Sequence, residues 1–167
     1  MYQRVLDAAA ENGFTALIGG LDYRGSPDWG GKLGYSRAAL ADAVGKCIAF
    51  LRDVARPYED QGNKVLIGGI VGPRGDAYSL NRTITAEDAE EYHAFQLEVL
   101  KRAEVDIVTA MTFNNVPEAV GVARAAARVD LPLTIAFTLD STHRLKSGPS
   151  LKEAIEATDA LAANAKP

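Results

Sequence analysis

Lys64-Val-Leu-Ile-Gly-Gly-Ile-Val71, followed at once by Gly72-Pro-Arg-Gly-Asp76, is the stretch that decides the fold. The apolar run is too short for a helix, and its unbroken character suits a strand covered on both faces, as in a parallel sheet. The Gly-Pro-Arg-Gly-Asp segment after it reads as a loop. Helical patterns flank this unit on both sides, and strand and helix alternate outward from it in both directions.

Upstream, Tyr2 to Ala10 carries Val5, Leu6, Ala9 and Ala10 at helical spacing, and Asn12-Gly13 is a stop signal. Phe14 to Ile18 is a short apolar run and reads as a first buried strand, ending at Gly19-Gly20. Leu21 to Gly34, rich in glycine with Ser26 and Pro27, is expected to be a long loop. Ser36 caps a helix predicted to reach about Arg56, with Leu40, Val44, Cys47, Ile48, Leu51 and Val54 on one stripe and Pro57 as its end.

Downstream, Thr85-Ala-Glu-Asp88 is a capping box for a helix to about Ala103, with Ala89, Tyr92, Phe95, Val99 and Leu100 expected inward. Asp106 to Phe113 is the third strand. Asn115 caps the next helix, with Pro117 in its first turn and Val120, Ala123, Ala126 and Ala127 packing. Leu131 to Leu139 is the fourth strand, entered through Pro132. Ser150-Leu-Lys-Glu153 opens a last helix with Ile155, Ala157 and Leu161.

Four strands, each followed by a helix, imply parallel pairing with right-handed crossovers. The class is α/β, either part of a (β/α)8 barrel of the TIM type or an open doubly wound sheet. A whole barrel needs eight strands and typically about 250 residues. The 167 residues are expected to form one partial domain, 1–167.

Composition narrows the function classes. Apolar residues make up 47% of the chain and charged residues 24%, which is enough apolar mass for a core. A net charge of −4 disfavours a nucleic-acid-binding face. No apolar window suits a membrane span, and Arg4, Asp7 and Glu11 interrupt the N-terminus where a signal peptide would be apolar. A cytoplasmic location is the expectation. One cysteine, Cys47, excludes an internal disulfide and a multi-cysteine metal site within one chain.

In either parallel architecture, ligands bind beyond the C-terminal strand ends, so chemistry is expected in four loops. These are Leu21 to Ser26, Gly72 to Asp76, Thr112 to Asn115 and Thr138 to Arg144. Gly72 to Asp76 has glycines that suit a phosphate cradle but lacks the Walker spacing and its Lys-Ser/Thr, so a tight turn is the simpler reading. Asp22 and Asp76 are either an acid/base pair or turn braces. His93 reads as a helix-packing or surface histidine. His143 lies on an edge loop with no triad beside it. Cys47 reads as a structural thiol on its helix stripe. The catalytic residues stay unassigned.

From Asp22 onward, six short segments in order resemble the homocysteine S-methyltransferase family, and the likeness runs from the first helix to the last. They are Tyr23-Arg-Gly-Ser-Pro-Asp-Trp29, Lys32-Leu-Gly-Tyr-Ser36, Gly69-Ile-Val-Gly-Pro-Arg-Gly-Asp76, Asp106-Ile-Val-Thr-Ala-Met-Thr112, Pro117-Glu-Ala119, and Ile135-Ala-Phe-Thr138 with Ser147-Gly-Pro-Ser-Leu151. The resemblance implies strands two to five of a (β/α)8 barrel that transfers a methyl group to a thiol, giving methionine. It also implies a zinc ion, held by three cysteines, that keeps the substrate sulfur anionic. Those cysteines follow the sixth and eighth strands, beyond the last helix here, and Cys47 matches none of them, so no metal ligand is assigned in this chain.

The resemblance places substrate-binding roles on Asp22, Tyr23, Gly72, Pro73 and Thr112. Met111 stands where the family commonly has a glutamate that helps hold the substrate amino group, and Gly20-Leu21 replaces a Thr-Asn. Three functions are carried forward. The first is a truncated methyltransferase, inactive alone, acting on a small-molecule thiol. The second is a non-catalytic half-barrel, completed by a second copy or another chain, because exposed sheet edges otherwise invite association. The third is an unrelated small-ligand domain.

Overall fold

The computed structural model describes residues 1–80 and 82–162. Its elements are α1 (Tyr2–Glu11), β1 (Ala16–Gly19), α2 (Pro27–Lys32), α3 (Arg37–Glu59), β2 (Val65–Val71), α4 (Ala86–Arg102), β3 (Ile107–Phe113), α5 (Val116–Arg128), β4 (Leu133–Phe137) and α6 (Leu151–Ala162). The strands pair in parallel in the order β1-β2-β3-β4. A doubly wound sheet reverses its order at a switch point and carries helices on both faces. Here the order never reverses and the helices pack on one face. The architecture is a partial TIM-type barrel, and the doubly wound alternative does not hold.

Alternation along each strand sets the two faces. Ala16, Ile18, Val65, Ile67, Val71, Val108, Ala110 and Phe113 form one core with Leu6 of α1, Ile48 and Leu51 of α3, Leu97 and Leu100 of α4, and Val122 and Ala125 of α5. The intervening residues face the concave side, where Leu17 is 50% exposed and Met111 38%. The expectation that β2 is covered on both faces therefore fails. Its unbroken apolar run has a different cause at Gly69, where a Cβ would lie 2.7 Å from Leu100 Cδ1. A helix packs so closely there that only glycine fits.

Local chemistry explains the ends of the elements. Ser36 Oγ accepts from Ala39 N at 3.2 Å, Asn115 Oδ1 accepts from Glu118 N at 2.9 Å, and the capping box of Thr85 and Asp88 forms in both directions. Ser150 and Glu153 do the same for α6. Pro57 does not end α3. It lies within the last turn, where its missing N–H forfeits one hydrogen bond while the helix runs on to Glu59. The Leu21 to Gly34 loop contains the short helix α2, with Pro27 in its first turn. Both outer strands are shorter than predicted. Phe14 is exposed ahead of β1, and β4 spans only Leu133–Phe137.

Two helix faces also differ from the expected stripes. In α4 the buried line is Ala89, His93, Gln96, Leu97 and Leu100, with Val99 beside it, whereas Tyr92 and Phe95 are only half-buried. Two polar residues take interior places because each finds a partner there. In α6, Ala154 and Thr158 are buried while Ile155 and Leu161 stay exposed, and Ala127 of α5 is exposed as well. Of these, Ala127, Ile155 and Thr158 border a groove along β4, lined also by Leu133, Ile135 and Phe137. No helix among the described residues is long and apolar enough to cross a membrane.

Candidate functional site

Parallel strands deliver all their C-terminal ends to one edge, and there Tyr23, Gly72 and Thr112 meet. Gly72 continues the concave-face alternation of β2, and a Cβ on it would lie 2.6 Å from Tyr23 Cζ, so the phenol ring lies flat over this glycine. Gly72 N donates to Tyr23 O at 3.0 Å. The Tyr23 hydroxyl is 2.6 Å from Thr112 Oγ1, and Thr112 Oγ1 donates to Met111 O at 2.6 Å. A hydroxyl has one proton, so Tyr23 is the donor in the pair. Thr112 adopts φ 64, a strained angle for a β-branched residue, where the β3–β4 register shifts between Ala110 and Phe113. This break in the ladder turns the threonine hydroxyl toward Tyr23.

Pro73 acts through its carbonyl rather than its ring. Arg24 Nη1 donates to Pro73 O at 3.1 Å and Gly75 O at 2.5 Å, and its guanidinium lies over the Tyr23 and Trp29 rings at 4.8 and 4.9 Å. Arg24 thereby ties the loop after β1 to the loop after β2. Asp76 accepts from Tyr78 N and Ser79 Oγ, which hold its carboxyl below the ordinary range, and serves as a turn brace.

Asp22 stands apart from the other expected site residues. Its Oδ2 accepts from Ile70 N at 3.0 Å and its Oδ1 is buried without a partner. A Cβ on Gly20 would meet that Oδ1 at 2.2 Å and Ile48 Cδ1 at 3.3 Å, so the carboxyl lies on the helix side of the sheet. Burial there pushes its pKa up to about 6. Asp22 braces the strand ends from behind and does not line the mouth.

The residues that fix the mouth from below escaped the sequence reading. Glu118, 1% exposed, accepts from Arg74 N at 2.5 Å, lies 3.2 Å from His93 Nε2, and accepts from Asn115 Nδ2 at 3.2 Å. It therefore pins the loop after β2 to α4 and α5. Gln96 Nε2 donates to Asp22 O at 2.6 Å and to Ile70 O at 3.2 Å, holding the loop after β1. In sequence Glu118 looks like an ordinary acid in a first helical turn. Its one warning sign is the apolar company of Pro117, Ala119 and Val120.

His93, expected as a helix-packing or surface histidine, is buried, edge-on to Tyr92 at 4.9 Å and near Phe113 at 5.6 Å. His143 is exposed at the tip of the loop after β4, which borders a cavity of about 390 Å³ with Tyr78, Asn114, Asp140 and Lys146. Cys47 is half-buried on α3, where its Sγ accepts from Leu21 N at 3.2 Å. These three possible soft or imidazole ligands sit on separate elements, and the described residues hold no group of three metal-ligating side chains. The donor set of the described residues does not by itself fit a zinc ion.

Comparison with solved structures identifies the frame. The homocysteine methyltransferase MmuM from Escherichia coli, in its metallated form, superposes with a TM-score of 0.81 at 20% identity, over 95% of this chain and 58% of that one. Its oxidized form gives 0.79 at 21%, and its apo form 0.69 at 20%. The chain thus spans under two thirds of these structures, and at such identity the likeness establishes the fold. No curated protein matches the sequence. The family model for homocysteine S-methyltransferases matches residues 16–165, nearly the whole of the described sheet and its helices. The chain belongs to the homocysteine S-methyltransferase family.

Proposed function

We propose that this chain walls one side of the substrate mouth of an S-methyltransferase barrel, and that the bound substrate is a small thiol. The observation that carries this is the Tyr23–Gly72–Thr112 contact, which builds a rigid polar rim at the C-terminal edge of an open concave face. Family membership supplies the reaction class. In it, the thiol sulfur bonds to a methyl carbon, the donor leaves with the electron pair of the broken bond, and the thiol proton passes to solvent. A complete member is expected to use zinc to hold the sulfur anionic. The described residues do not gather into such a site, so the chain alone is proposed to bind without turnover.

The open edges of β1 and β4 favour a second reading, a non-catalytic half completed by a partner. A second copy of the chain meets a geometric obstacle. Helix α1 packs ahead of β1 against α3, and α6 follows β4 against α5, so each end of the sheet already brings its own helix to the seam. Two copies would set two helices at each seam where a barrel accommodates one. A partner that begins and ends in bare strands avoids this.

Incubating the purified chain with homocysteine and a panel of sulfonium methyl donors, with and without chelator, tests the first reading when followed by mass spectrometry. Amide NMR shifts on thiol addition give the second readout, and sedimentation gives the mass. The expected result is no methylated product, shifts confined to Tyr23, Gly72 and Thr112, and a monomer. Chelator-sensitive methylation would overturn the assignment of inactivity. A complete lack of thiol-dependent shifts would overturn the methyltransferase reading, and a stable dimer would favour the paired half-barrel.

A further inference from the structure

We infer that a second site lies outside the mouth, on the helix side of the sheet, and takes a small amino dicarboxylate such as glutamate. Arg37 and Arg74 hold its two carboxylates, and Glu91 holds its ammonium group. The inference does not depend on the thiol-binding reading above.

One face of α4 builds the floor. Asp88, Glu91, Tyr92 and Phe95 fall at i, i+3, i+4 and i+7, so they share that face. The Tyr92 hydroxyl donates to Asp28 Oδ1 at 2.8 Å, which fastens the start of α2 to the floor. Arg37, in the first turn of α3, closes a second side. The loop after β2 supplies Arg74, whose own N–H is fixed by Glu118 at 2.5 Å. The resulting cavity has a volume of about 350 Å³, at the small end of ligand pockets.

The charges in this cavity are placed but not paired. The Arg74 guanidinium lies over the Tyr92 ring at 5.3 Å, and that of Arg37 over the Phe95 ring at 5.5 Å. Stacking fixes each guanidinium plane and leaves its N–H edges free to grip a carboxylate with two bonds. Among the described residues neither guanidinium has a hydrogen bond or a carboxylate partner, whereas Arg24, Arg124 and Arg128 donate to oxygens of this chain. The rings beneath the two arginines lie three residues apart on α4, so the guanidiniums suit two anionic groups joined by a short chain. Of the three acids lining the cavity, Asp28 ties α2 to α4 and Asp88 caps α4. Glu91 is exposed, and among the described residues its carboxylate holds no bond. A plain dianion seated on the arginines would therefore lie beside three carboxylates. A ligand that also carries an ammonium group turns this repulsion into a third contact, at Glu91.

The test is an NMR titration of the intact chain at pH 7 with three molecules of nearly one shape: L-glutamate, L-glutamine and glutarate. L-Glutamate is expected to shift the amides of Arg37, Arg74 and Glu91. It should bind about tenfold tighter than L-glutamine, which lacks the second carboxylate, and than glutarate, which lacks the ammonium group. Arg74→Gln should erase the preference over glutamine, and Glu91→Gln the preference over glutarate. Glutarate binding as tightly as glutamate to the unsubstituted chain would reduce the site to a simple anion patch and overturn the inference. So would equal binding of glutamine, or glutamate shifts absent from these three amides. If either variant fails to fold, the ligand series on the unsubstituted chain decides alone. None of these outcomes bears on the thiol-dependent shifts at Tyr23, Gly72 and Thr112, which test the methyltransferase reading separately.

Discussion

The ends of β2 and β4 point to the same edge but are held in opposite ways. The loop after β2 is fastened by partners remote in sequence: Glu118 takes the Arg74 N–H, Arg24 takes the Pro73 and Gly75 carbonyls, and Asn114 Nδ2 donates to Ala77 O. The loop after β4 fastens mainly to itself. Asp140 accepts from Thr142 N and Arg144 N, and short antiparallel bridges join Leu139 to Leu145 and Arg144 to Ser150. Its main tie to the β2 side is Lys146 donating to Tyr78 O. The contrast shows that the loop after β2 is tied into the helices and the neighbouring loop, whereas β4 and α6 border an apolar groove. Long-range bonds fix a loop relative to the sheet, while local turns fix only its shape.

The sharpest way to break this comparison is to remove one anchor from each side. Glu118→Ala leaves His93, Asn115 and the Arg74 N–H without their shared acceptor in a dry site. It should cost about 3–5 kcal/mol, read as a lower urea midpoint at unchanged slope. Asp140→Ala should leave that midpoint nearly where it was. Equal losses would show that the two loops are equally coupled to the core.

Asp22 sharpens the comparison through pH. Burial raises its folded pKa to about 6 from the ordinary aspartate value of 3.8, so the native state holds the proton more tightly than the unfolded chain. The stabilisation is complete below about pH 3.8 and is lost as pH rises through about 6, a change on the order of 3 kcal/mol at most. Asp22→Asn keeps an acceptor for Ile70 N and removes the charge. It is expected to flatten this slope and raise the melting temperature at pH 7 by a few degrees. An unchanged slope in thermal melts between pH 4 and 7 would place the titration elsewhere.

A smaller effect should come from Gly72→Ala. The new methyl would meet Tyr23 Cζ at 2.6 Å, so the ring must lift and the bond to Thr112 must break. The expected cost is about 1–3 kcal/mol. Gly75→Ala, in the same loop but with open space around it, tests backbone strain alone because Gly75 has φ +81. Should the Gly72 variant keep an unperturbed Tyr23 ring resonance, the rim is looser than its contacts imply.

Much of the fold was legible because it depends on local chemistry. Capping boxes, the Asn115 cap and the alternation of apolar runs with helical stripes are written into consecutive residues, and they suffice for four parallel strands. The substrate-site assignments for Tyr23, Gly72 and Thr112 depended on family resemblance, and the structure shows these residues touching. Composition alone gave no reason for them to meet.

Other features were settled only in three dimensions. Strand order and the one-sided helix layer chose the half-barrel over the doubly wound sheet, since the same βα alternation encodes both. The fate of each acid was equally invisible: Asp22 and Asp76 look alike as loop carboxyls, yet one is buried behind the sheet and the other closes an exposed turn. Glu118 reads as a surface first-turn acid until α4 closes over it and brings His93 within hydrogen-bonding reach. A residue's local pattern is set by its chain neighbours, but its burial and partners come from elements many residues away, so sequence determined the elements and tertiary packing decided their chemistry.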